Sequence, residues 1–436
     1  SVHDADGPGC DTRIFDLGIP ILGICYGLQY MMKILGGDVR QCGSREYGPA
    51  KVHVKVADEL FEGTGDELKV WMSHADEVVQ PAAGFKVTAE SDSVPMGALA
   101  DYQRRIWGVQ FHPEVQHTTY GQRIIRNFAR RICGCRGSWS PKSYVKETVK
   151  EIRERVGAGH VICGLSGGVD SAVTAALIHR AIGDQLTCIF VDNGLLRHGE
   201  GEKLLKIFKR NLKAKVEHVD ARETFLDQLR GVVDPEEKRR IIGHAFISVF
   251  EDAAKNIPGV EYLAQGTLYP DVIESSGIGR HADVIKSHHN VGGLPEKLGF
   301  KLVEPLRFLF KDEVRKVGTE LGLPEDMVWR QPFPGPGLAV RIIGAITDER
   351  LELLRKADRI VIEEMKDNNY YCKVWQSFAV LLPIQSVGVM GDGRTYEHTI
   401  ALRVVSSTDG MTADWVKLKD RLLQRISNRI TNEVEA

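Results

Sequence analysis

Apolar residues in the middle of the chain follow the pattern of a strand, a helix and a second strand. A nearly continuous apolar run starts at His160 and ends in a turn formed by Gly167 and Gly168. A helix is predicted over residues 172–182 and a second buried strand over residues 186–191. Two strands joined by one helix form a βαβ unit, so we expect the glycine turn at the carboxyl end of a parallel strand.

The same alternation of strand and helix patterns precedes this unit. Strands are predicted over residues 20–24 and from Ile106 onward, and a helix over residues 28–35. A connection rich in basic and small residues, 130–140, follows, and then an amphipathic helix over Pro141–Val156. A mixed pattern of this kind is typical of an α/β protein.

The last quarter of the chain has a different pattern. A helix is predicted over residues 348–366, followed by strands at 378–390 and 396–405 that are joined by the turn 391–394. A final helix is predicted over residues 413–434, with Trp415, Leu418, Leu422, Ile426 and Ile430 at helical spacing. This order predicts a small α+β domain.

Composition excludes some functional classes. The 436 residues correspond to about three domains, because single cores rarely exceed ~250–300 residues. A net charge of −2 gives no general attraction to nucleic acid or membrane, and no apolar run approaches the ~18–20 residues of a membrane span. Eight dispersed cysteines suit a reducing compartment, so we expect a cytoplasmic protein.

The glycine turn is a candidate anion site. Its residues are Ser166, Gly167, Gly168, Val169, Asp170 and Ser171. The glycines let the backbone approach phosphate oxygens, the serines offer hydroxyls, and the helix N-terminus offers free N–H groups. The loop has neither the Lys-Ser/Thr pair of a Walker A motif nor the G-x-G-x-x-G of a dinucleotide site.

This SGGVDS sequence resembles the pyrophosphate loop of the ATP pyrophosphatases, which adenylate a substrate and release pyrophosphate. The resemblance implies that all six residues bind ATP and that Asp170 holds Mg²⁺. The alternatives are a strand-to-helix turn without a ligand, and an ordinary first-turn carboxylate at Asp170.

A second chemical motif lies near the start of the chain. Cys25 stands between two glycines in GICYG, the spacing of a nucleophile between a strand and a helix. Much later, GVQFHPE places His112 and Glu114 at a strand end, and Cys, His and Glu can act as nucleophile, base and orienting carboxylate. Taken singly, the cysteine could equally be a core residue and the histidine a structural one.

Together these two motifs resemble the class I glutamine amidotransferases. The resemblance implies that Cys25 attacks the side-chain amide of glutamine, that His112 transfers a proton to departing ammonia and that Glu114 orients His112. It also implies that the N–H of Tyr26 is an oxyanion donor. Gly48 and the segment 73–76 match stretches that line the glutamine pocket, or are simply a turn and a strand end.

Further candidate ligands of a nucleotide are dispersed along the chain. We expect Arg239 to hold a nucleotide monophosphate, and Lys311 is a second candidate for binding phosphate. The backbone of Val191 would read adenine, or is equally a plain exit from a strand to a loop. Solvated helix starts are the alternative for both basic residues. Polar side chains on and beside a glycine-rich loop suggest a lid that closes over phosphates, comprising Asp271, Glu274, Lys286, His288 and His289.

The order of these motifs, followed by FPGPGL at 333–338 and GDGRTYE at 391–397, resembles the GMP synthetase family from end to end. The resemblance implies a class I amidotransferase domain over 1–133 and a doubly wound, parallel-sheet ATP pyrophosphatase domain of the adenine nucleotide alpha hydrolase kind over 138–330. An α+β dimerisation domain over 331–436 would help to bind XMP. ATP would adenylate XMP, ammonia from glutamine would displace AMP, and Mg²⁺ would serve the pyrophosphate.

Two departures from the family pattern lead to expectations. A first strand and a second oxyanion loop should precede residue 1, so glutamine hydrolysis is expected to be slow, and a strand and tail that meet XMP should follow residue 436, so XMP affinity is expected to be weak. The alternatives are a glutamine-dependent NAD synthetase, which normally carries a different glutaminase, and a regulatory protein descended from the enzyme.

Overall fold

The computed structural model describes most of the chain in two compact units, Ser1–Ser138 and Trp139–Ala436. The described residues are 1–4, 6–115, 117–212, 214–275, 299–390, 393–407 and 413–434. Within them, no helix is both long and apolar enough to cross a membrane. The predicted boundary between a second and a third domain, at residue 331, lies inside the second unit and stays a prediction.

The first unit is built on a six-stranded sheet in the order β1-β6-β5-β4-β2-β3. Strands β1 and β6 are parallel to each other, and the other neighbouring pairs are antiparallel. The strands are β1 Ile21–Ile24, β2 Asp38–Val54, β3 Glu67–Gln80, β4 Lys86–Ser91, β5 Ala98–Asp101 and β6 Ile106–Val109. The helices are α1 Tyr26–Ile34 and α2 Gly121–Asn127, with a 3₁₀ turn at Thr12–Asp16 and a π turn at Phe128–Ile132.

Two glycines let α1 pack closely on the sheet. Gly23 of β1 and Gly108 of β6 are register partners on adjacent parallel strands. A Cβ at Gly23 would lie 2.3 Å from Cε of Met31, and one at Gly108 would lie 2.4 Å from Cδ1 of Leu28. Any larger residue would therefore push the helix, and the residue that precedes it, away from the strand ends.

The second unit contains a five-stranded, fully parallel sheet in the order β11-β10-β7-β8-β9. The strands are β7 His160–Gly164, β8 Leu186–Asp192, β9 Lys215–Asp220, β10 Val260–Ala264 and β11 Lys301–Val303. The helices are α3 Pro141–Val156, α4 Val169–Ile182, α5 Glu200–Ile207, α6 Arg222–Gln228, α7 Pro235–Lys255, α8 Tyr269–Ser275, α9 Lys311–Glu320 and α10 Glu325–Val328. A 3₁₀ turn at Gly183–Gln185 and a π turn at Phe208–Leu212 extend two of them.

Strand order reverses at β7, because β8 and β9 extend the sheet on one side and β10 and β11 on the other. The predicted doubly wound α/β fold is confirmed. In such sheets ligands bind where the order reverses, outside the carboxyl ends of the strands. The loops after β7 and β10 therefore mark the expected ligand site.

Buried side chains cover both faces of this sheet. One core packs α3, α4 and α9 against the sheet, with Val173, Leu177 and Val314 fully buried. The core on the other face joins α7 to the last part of the chain, since Ile162 belongs to the same buried cluster as Leu354. The polypeptide after residue 331 is thus packed against the sheet that carries the glycine turn.

That last part contains a three-stranded antiparallel sheet, β12-β13-β14. Its strands are β12 Gln376–Met390, β13 Gly393–Ser406 and β14 Asp414–Trp415, and its helices are α11 Asp348–Asp367 and α12 Asp420–Glu433, with a 3₁₀ turn at Gly337–Arg341. The predicted helix and hairpin are confirmed.

The prediction of a final helix from residue 413 is wrong for its first two turns. Asp414 and Trp415 pair with β13, and Val416 N–H donates to Val404 O at 3.1 Å. Trp415 is 71% exposed rather than on the buried face. The edge of β13 supplies hydrogen bonds that the periodicity of apolar residues does not reveal.

Candidate active sites

Cys25 lies at the sharp turn between β1 and α1. Its φ of +50° is in the left-handed region that non-glycine residues seldom adopt. The turn is held by its N–H, which donates to Val109 O at 2.8 Å. The buried thiol donates to Ser73 O at 3.5 Å, and Gln110 Nε2 donates to Sγ at 3.6 Å. Backbone strain at a buried nucleophile is typical of a functional site.

Tyr26 is the first residue of α1. Its N–H is one of the four at a helix start that have no partner within the helix. This N–H therefore lies next to the nucleophile at the positive end of a helix dipole, and its role as an oxyanion donor stays a prediction.

The structure brings His112 and Glu114 together beyond the end of β6. His112 Nδ1 and Glu114 Oε1 are 2.6 Å apart, and the His112 N–H donates to Trp71 O at 3.0 Å. The neighbouring Cys25 thiol, and then the Glu114 carboxylate, raise the pKa of His112 to about 10 against the opposing effect of burial. In turn, His112 helps to hold the pKa of Glu114 below its usual value, although partial burial opposes this. The imidazole can therefore hold a proton at neutral pH.

The predicted glutamine-pocket stretch lies next to the thiol, because Ser73 O accepts from Cys25. His74 is buried and bridges the strands, with Nε2 3.2 Å from Glu46 Oε2. Asp76 is buried as well, and its Oδ1 has no hydrogen-bond partner. A buried carboxylate oxygen without a partner is available to a ligand's amino group.

The glycine turn lies between β7 and α4, as predicted. Gly167 has a φ of +74°, and Gly168 precedes the helix without a side-chain cap. Ser166 Oγ lies 3.2 Å from Ser171 Oγ, and the Gly168 N–H donates to Ser166 Oγ at 3.3 Å. Val169, the first helical residue, is buried beneath the turn. The loop is held by its own hydroxyls, and the N-terminus of α4 offers the anion site.

Asp170 lies in the first turn of α4 and meets the loop after β10. A Cβ at Gly266 of that loop would come within 3.3 Å of Asp170 Cβ. Asp170 Oδ2 accepts from Lys311 Nζ, the first residue of α9, at 2.5 Å. Two predicted ATP residues, far apart in sequence, thus lie together where the strand order reverses.

Asp170 also fits a metal ion. Its second oxygen, Oδ1, is buried and has no hydrogen-bond partner. In the part of the chain that the structure describes, no group of three or more His, Cys, Asp or Glu side chains could hold a metal. Mg²⁺ at nucleotide sites is commonly held by one or two carboxylates together with phosphate oxygens and water, so a single carboxylate suits it.

The remaining predicted residues that the structure describes lie on several different elements. Val191 is buried within β8. Arg239 is 44% exposed on α7, and its Nε lies 3.6 Å from Glu236 Oε1 of the same helix. Asp271 lies in the first turn of α8 and accepts from the Leu268 N–H at 3.0 Å. The predicted lid residues Lys286, His288 and His289, and the side chain of Glu274, lie outside the described residues.

Sequence reasoning missed two basic side chains. Arg330 donates to Gly167 O, inside the glycine turn. Lys238 is 1% exposed, and its Nζ donates to the carbonyls of Ala339 at 3.1 Å, Ile342 at 2.8 Å and Gly344 at 2.6 Å. Desolvation lowers the pKa of Lys238 to about 8. Its helical spacing with buried Ile242 could have indicated the core, whereas nothing local marks Arg330.

Three family models match successive parts of the chain. They are "Glutamine amidotransferase class-I" over residues 5–132, "NAD synthase" over 142–234 and "GMP synthase C terminal domain" over 363–436. The first contains the Cys25 site and the second contains the glycine turn.

Full-length relatives are similar throughout. GMP synthase [glutamine-hydrolyzing] of Geobacillus kaustophilus is 55% identical over 434 residues, which is 100% of this chain and 85% of that protein. The proteins of the same name from Caldanaerobacter subterraneus and Nitratidesulfovibrio vulgaris are 56% identical over 435 residues and 54% identical over 437 residues. These matches again span this chain and cover 84% and 85% of the relatives. At this identity and coverage, with the amidotransferase residues and the SGGVDS turn in place, the chain belongs to the family of the glutamine-hydrolysing GMP synthases.

Proposed function

We propose that the Cys25 site releases ammonia from glutamine and that the glycine-turn site uses ATP to activate XMP, which the ammonia converts to GMP. The observation that carries this proposal is the pairing of two sites in one chain, a Cys–His–Glu arrangement and an uncapped helix N-terminus beside Asp170. The Cys–His–Glu arrangement suits attack on an amide. The helix N-terminus beside Asp170 suits the binding of an anion together with its metal ion.

At the first site, the proton of the Cys25 thiol is held on Nε2 of His112, and the Cys25 thiolate attacks the side-chain carbonyl carbon of glutamine. The Tyr26 N–H stabilises the resulting oxyanion. His112, held through Nδ1 by Glu114, returns the proton to the departing nitrogen, which leaves as ammonia. Water then cleaves the thioester, which releases glutamate and restores Cys25.

At the second site, the helix N-terminus and the serine hydroxyls bind the β- and γ-phosphates of ATP. The 2-oxygen of XMP attacks the α-phosphorus and pyrophosphate leaves. Ammonia then attacks C2 of the adenylated XMP and expels AMP, which gives GMP. Lys311 is placed to move from Asp170 to a phosphate oxygen once the nucleotide is bound. We also propose that Arg239 binds the XMP phosphate and that the backbone of Val191 reads adenine.

We propose that the carboxylate of Asp170 would hold Mg²⁺, since one of its oxygens is buried without a partner and the other is bonded to Lys311. When bound, this ion would neutralise charge on the leaving pyrophosphate. In the structure, the ammonium group of Lys311 balances the negative charge of Asp170. When Mg²⁺ and ATP bind, the metal ion would replace Lys311 beside Asp170.

The choice of substrate tests the assignment. With ATP and ammonium chloride, we expect AMP formation to depend on XMP and to be absent with nicotinate adenine dinucleotide, the substrate of the related NAD synthetases. AMP release with the dinucleotide and none with XMP would instead make the chain an NAD synthetase.

We further propose a cytoplasmic homodimer formed through the β12–β13 sheet. Val387 and Tyr396, which are cross-strand partners, are 63% and 62% exposed. Paired, exposed apolar residues on one sheet favour association with another chain. We expect sedimentation to show a dimer that Val387→Glu dissociates and that Leu17→Glu, an exposed leucine of the first unit, leaves intact. A parent chain that sediments as a monomer at every concentration would contradict the proposal.

A further inference from the structure

Arg330 contacts the glycine turn from outside the SGGVDS sequence. It follows α10, and its guanidinium donates through Nη1 to Gly167 O and through Nη2 to Glu200 Oε1. The side chains of Arg330 and Glu200 are 12% and 11% exposed, so this ion pair is largely shielded from water. Glu200 uses its other oxygen, Oε2, to accept from the Arg197 N–H at 2.9 Å. Both ends of the contact are therefore fixed.

The bond to Gly167 O determines how the next peptide group is oriented. Because the peptide unit is planar and trans, the Gly168 N–H points away from the Gly167 carbonyl. With that carbonyl held by Arg330, the Gly168 N–H faces Ser166 Oγ on the inner side of the loop, at 3.3 Å. A flipped peptide would instead turn a carbonyl oxygen toward the anion, and this would be repulsive.

Glycine is required at position 167 for the approach of Arg330. A Cβ there would lie 2.6 Å from Arg330 Nη1 and 2.5 Å from Leu204 Cδ1, at a φ of +74°. The sequence had suggested that this glycine leaves room for phosphate. In the structure the direction of the missing side chain is filled by the arginine and the leucine.

Arg330 is also supported from behind. Its guanidinium carbon lies 5.7 Å from the centre of the Phe333 ring, and those of Arg197 and Arg341 lie 5.0 and 4.8 Å from the same ring. Arg341 is 3% exposed, lies 3.8 Å from the Phe378 ring centre and pairs with Asp358 at 3.6 Å. Cation–π contacts of this kind, away from water, are worth more than at exposed sites. Phe333, the first residue of the FPGPGL segment, therefore helps to fix the position of the Arg330 guanidinium.

We infer that Arg330 is a positioning residue for ATP: by holding the Gly167 carbonyl outward, it keeps the loop in the conformation that binds pyrophosphate. This inference rests on the proposed role of the loop. In this role Arg330 acts on ATP through the Gly167–Gly168 peptide, whose carbonyl it holds.

Binding of inorganic pyrophosphate with magnesium to the full chain, measured by calorimetry, tests the inference together with the KM for ATP in the ammonia-dependent reaction. For Arg330→Gln we expect pyrophosphate affinity to fall about tenfold, or about 1.4 kcal/mol. The KM for ATP should rise by a similar factor. Arg330→Lys, which keeps the charge beside Glu200 and one donor, should restore part of the affinity.

Lys203→Gln is the matched control. Lys203 lies on α5, as Glu200 does, and pairs with Asp326 of α10 at 2.6 Å. This ion pair joins nearly the same two segments as the Arg330–Glu200 pair, but it is exposed. The Lys203→Gln variant should bind pyrophosphate with the affinity of the parent chain.

Three results would count against the inference. Parent-like pyrophosphate affinity and KM for ATP in Arg330→Gln, whatever its melting temperature, would overturn it, and so would an affinity of Arg330→Lys no higher than that of Arg330→Gln. If the parent chain binds no pyrophosphate at all, the proposed role of the loop fails first, which is a distinguishable outcome.

Discussion

Replacing Cys25 with alanine is expected to abolish glutamine-dependent GMP formation, by a factor of about 10³ or more, and to leave ammonia-dependent formation intact. The reason is that Cys25 forms the only covalent bond to glutamine in the proposed reaction. It lies in the first unit, whereas the glycine turn lies in the second. Ammonia supplied from solution bypasses the missing thiol.

Rates of GMP formation with glutamine and with ammonium chloride, measured side by side, check this prediction. Cys135→Ala is a suitable control, because Cys135 is an exposed free cysteine of the same unit. Equal loss of both activities in Cys25→Ala would mean that the residue supports the fold rather than the release of ammonia.

Replacing Asp170 with asparagine should have the opposite pattern, with a loss of about 10²-fold or more in both glutamine-dependent and ammonia-dependent AMP formation. Asparagine keeps the shape of the side chain but removes the negative charge that would hold the metal. It also releases Lys311, whose Nζ bonds to Asp170 Oδ2. Both activities need activated XMP, so both should fall together.

Asp312→Asn is the matched control for this variant. Asp312 follows Lys311 on α9 and forms an exposed ion pair with Lys316 at 3.2 Å. Its removal should leave AMP formation near the parent rate. Full ammonia-dependent turnover in Asp170→Asn would place the phosphate site elsewhere in the chain.

The parts of the fold and site that the sequence predicted are those specified by neighbouring residues. The SGGVDS turn needs only its glycines and the adjoining strand and helix, and the turn at Cys25 likewise depends on the glycine pattern around it. His112 and Glu114 are two residues apart, so their contact follows from the motif itself.

The parts that could not be predicted depend on contacts between distant segments. Arg330 and Gly167 are 163 positions apart, and no local pattern relates them. Lys238 lies in a run of charged residues that suggested a solvated helix start, but the carbonyls that bind it come from residues about a hundred positions later. The pairing of Trp415 with β13 overrode a helical spacing for the same reason.

The most direct test of the two-site assignment is a count of products from ATP, XMP and glutamine. We expect GMP, AMP and glutamate to form in equal amounts, AMP to be absent without XMP, and AMP formation to continue when ammonium chloride replaces glutamine. AMP formation at the same rate without XMP, or no AMP with ATP, XMP and ammonium chloride, would contradict the assignment.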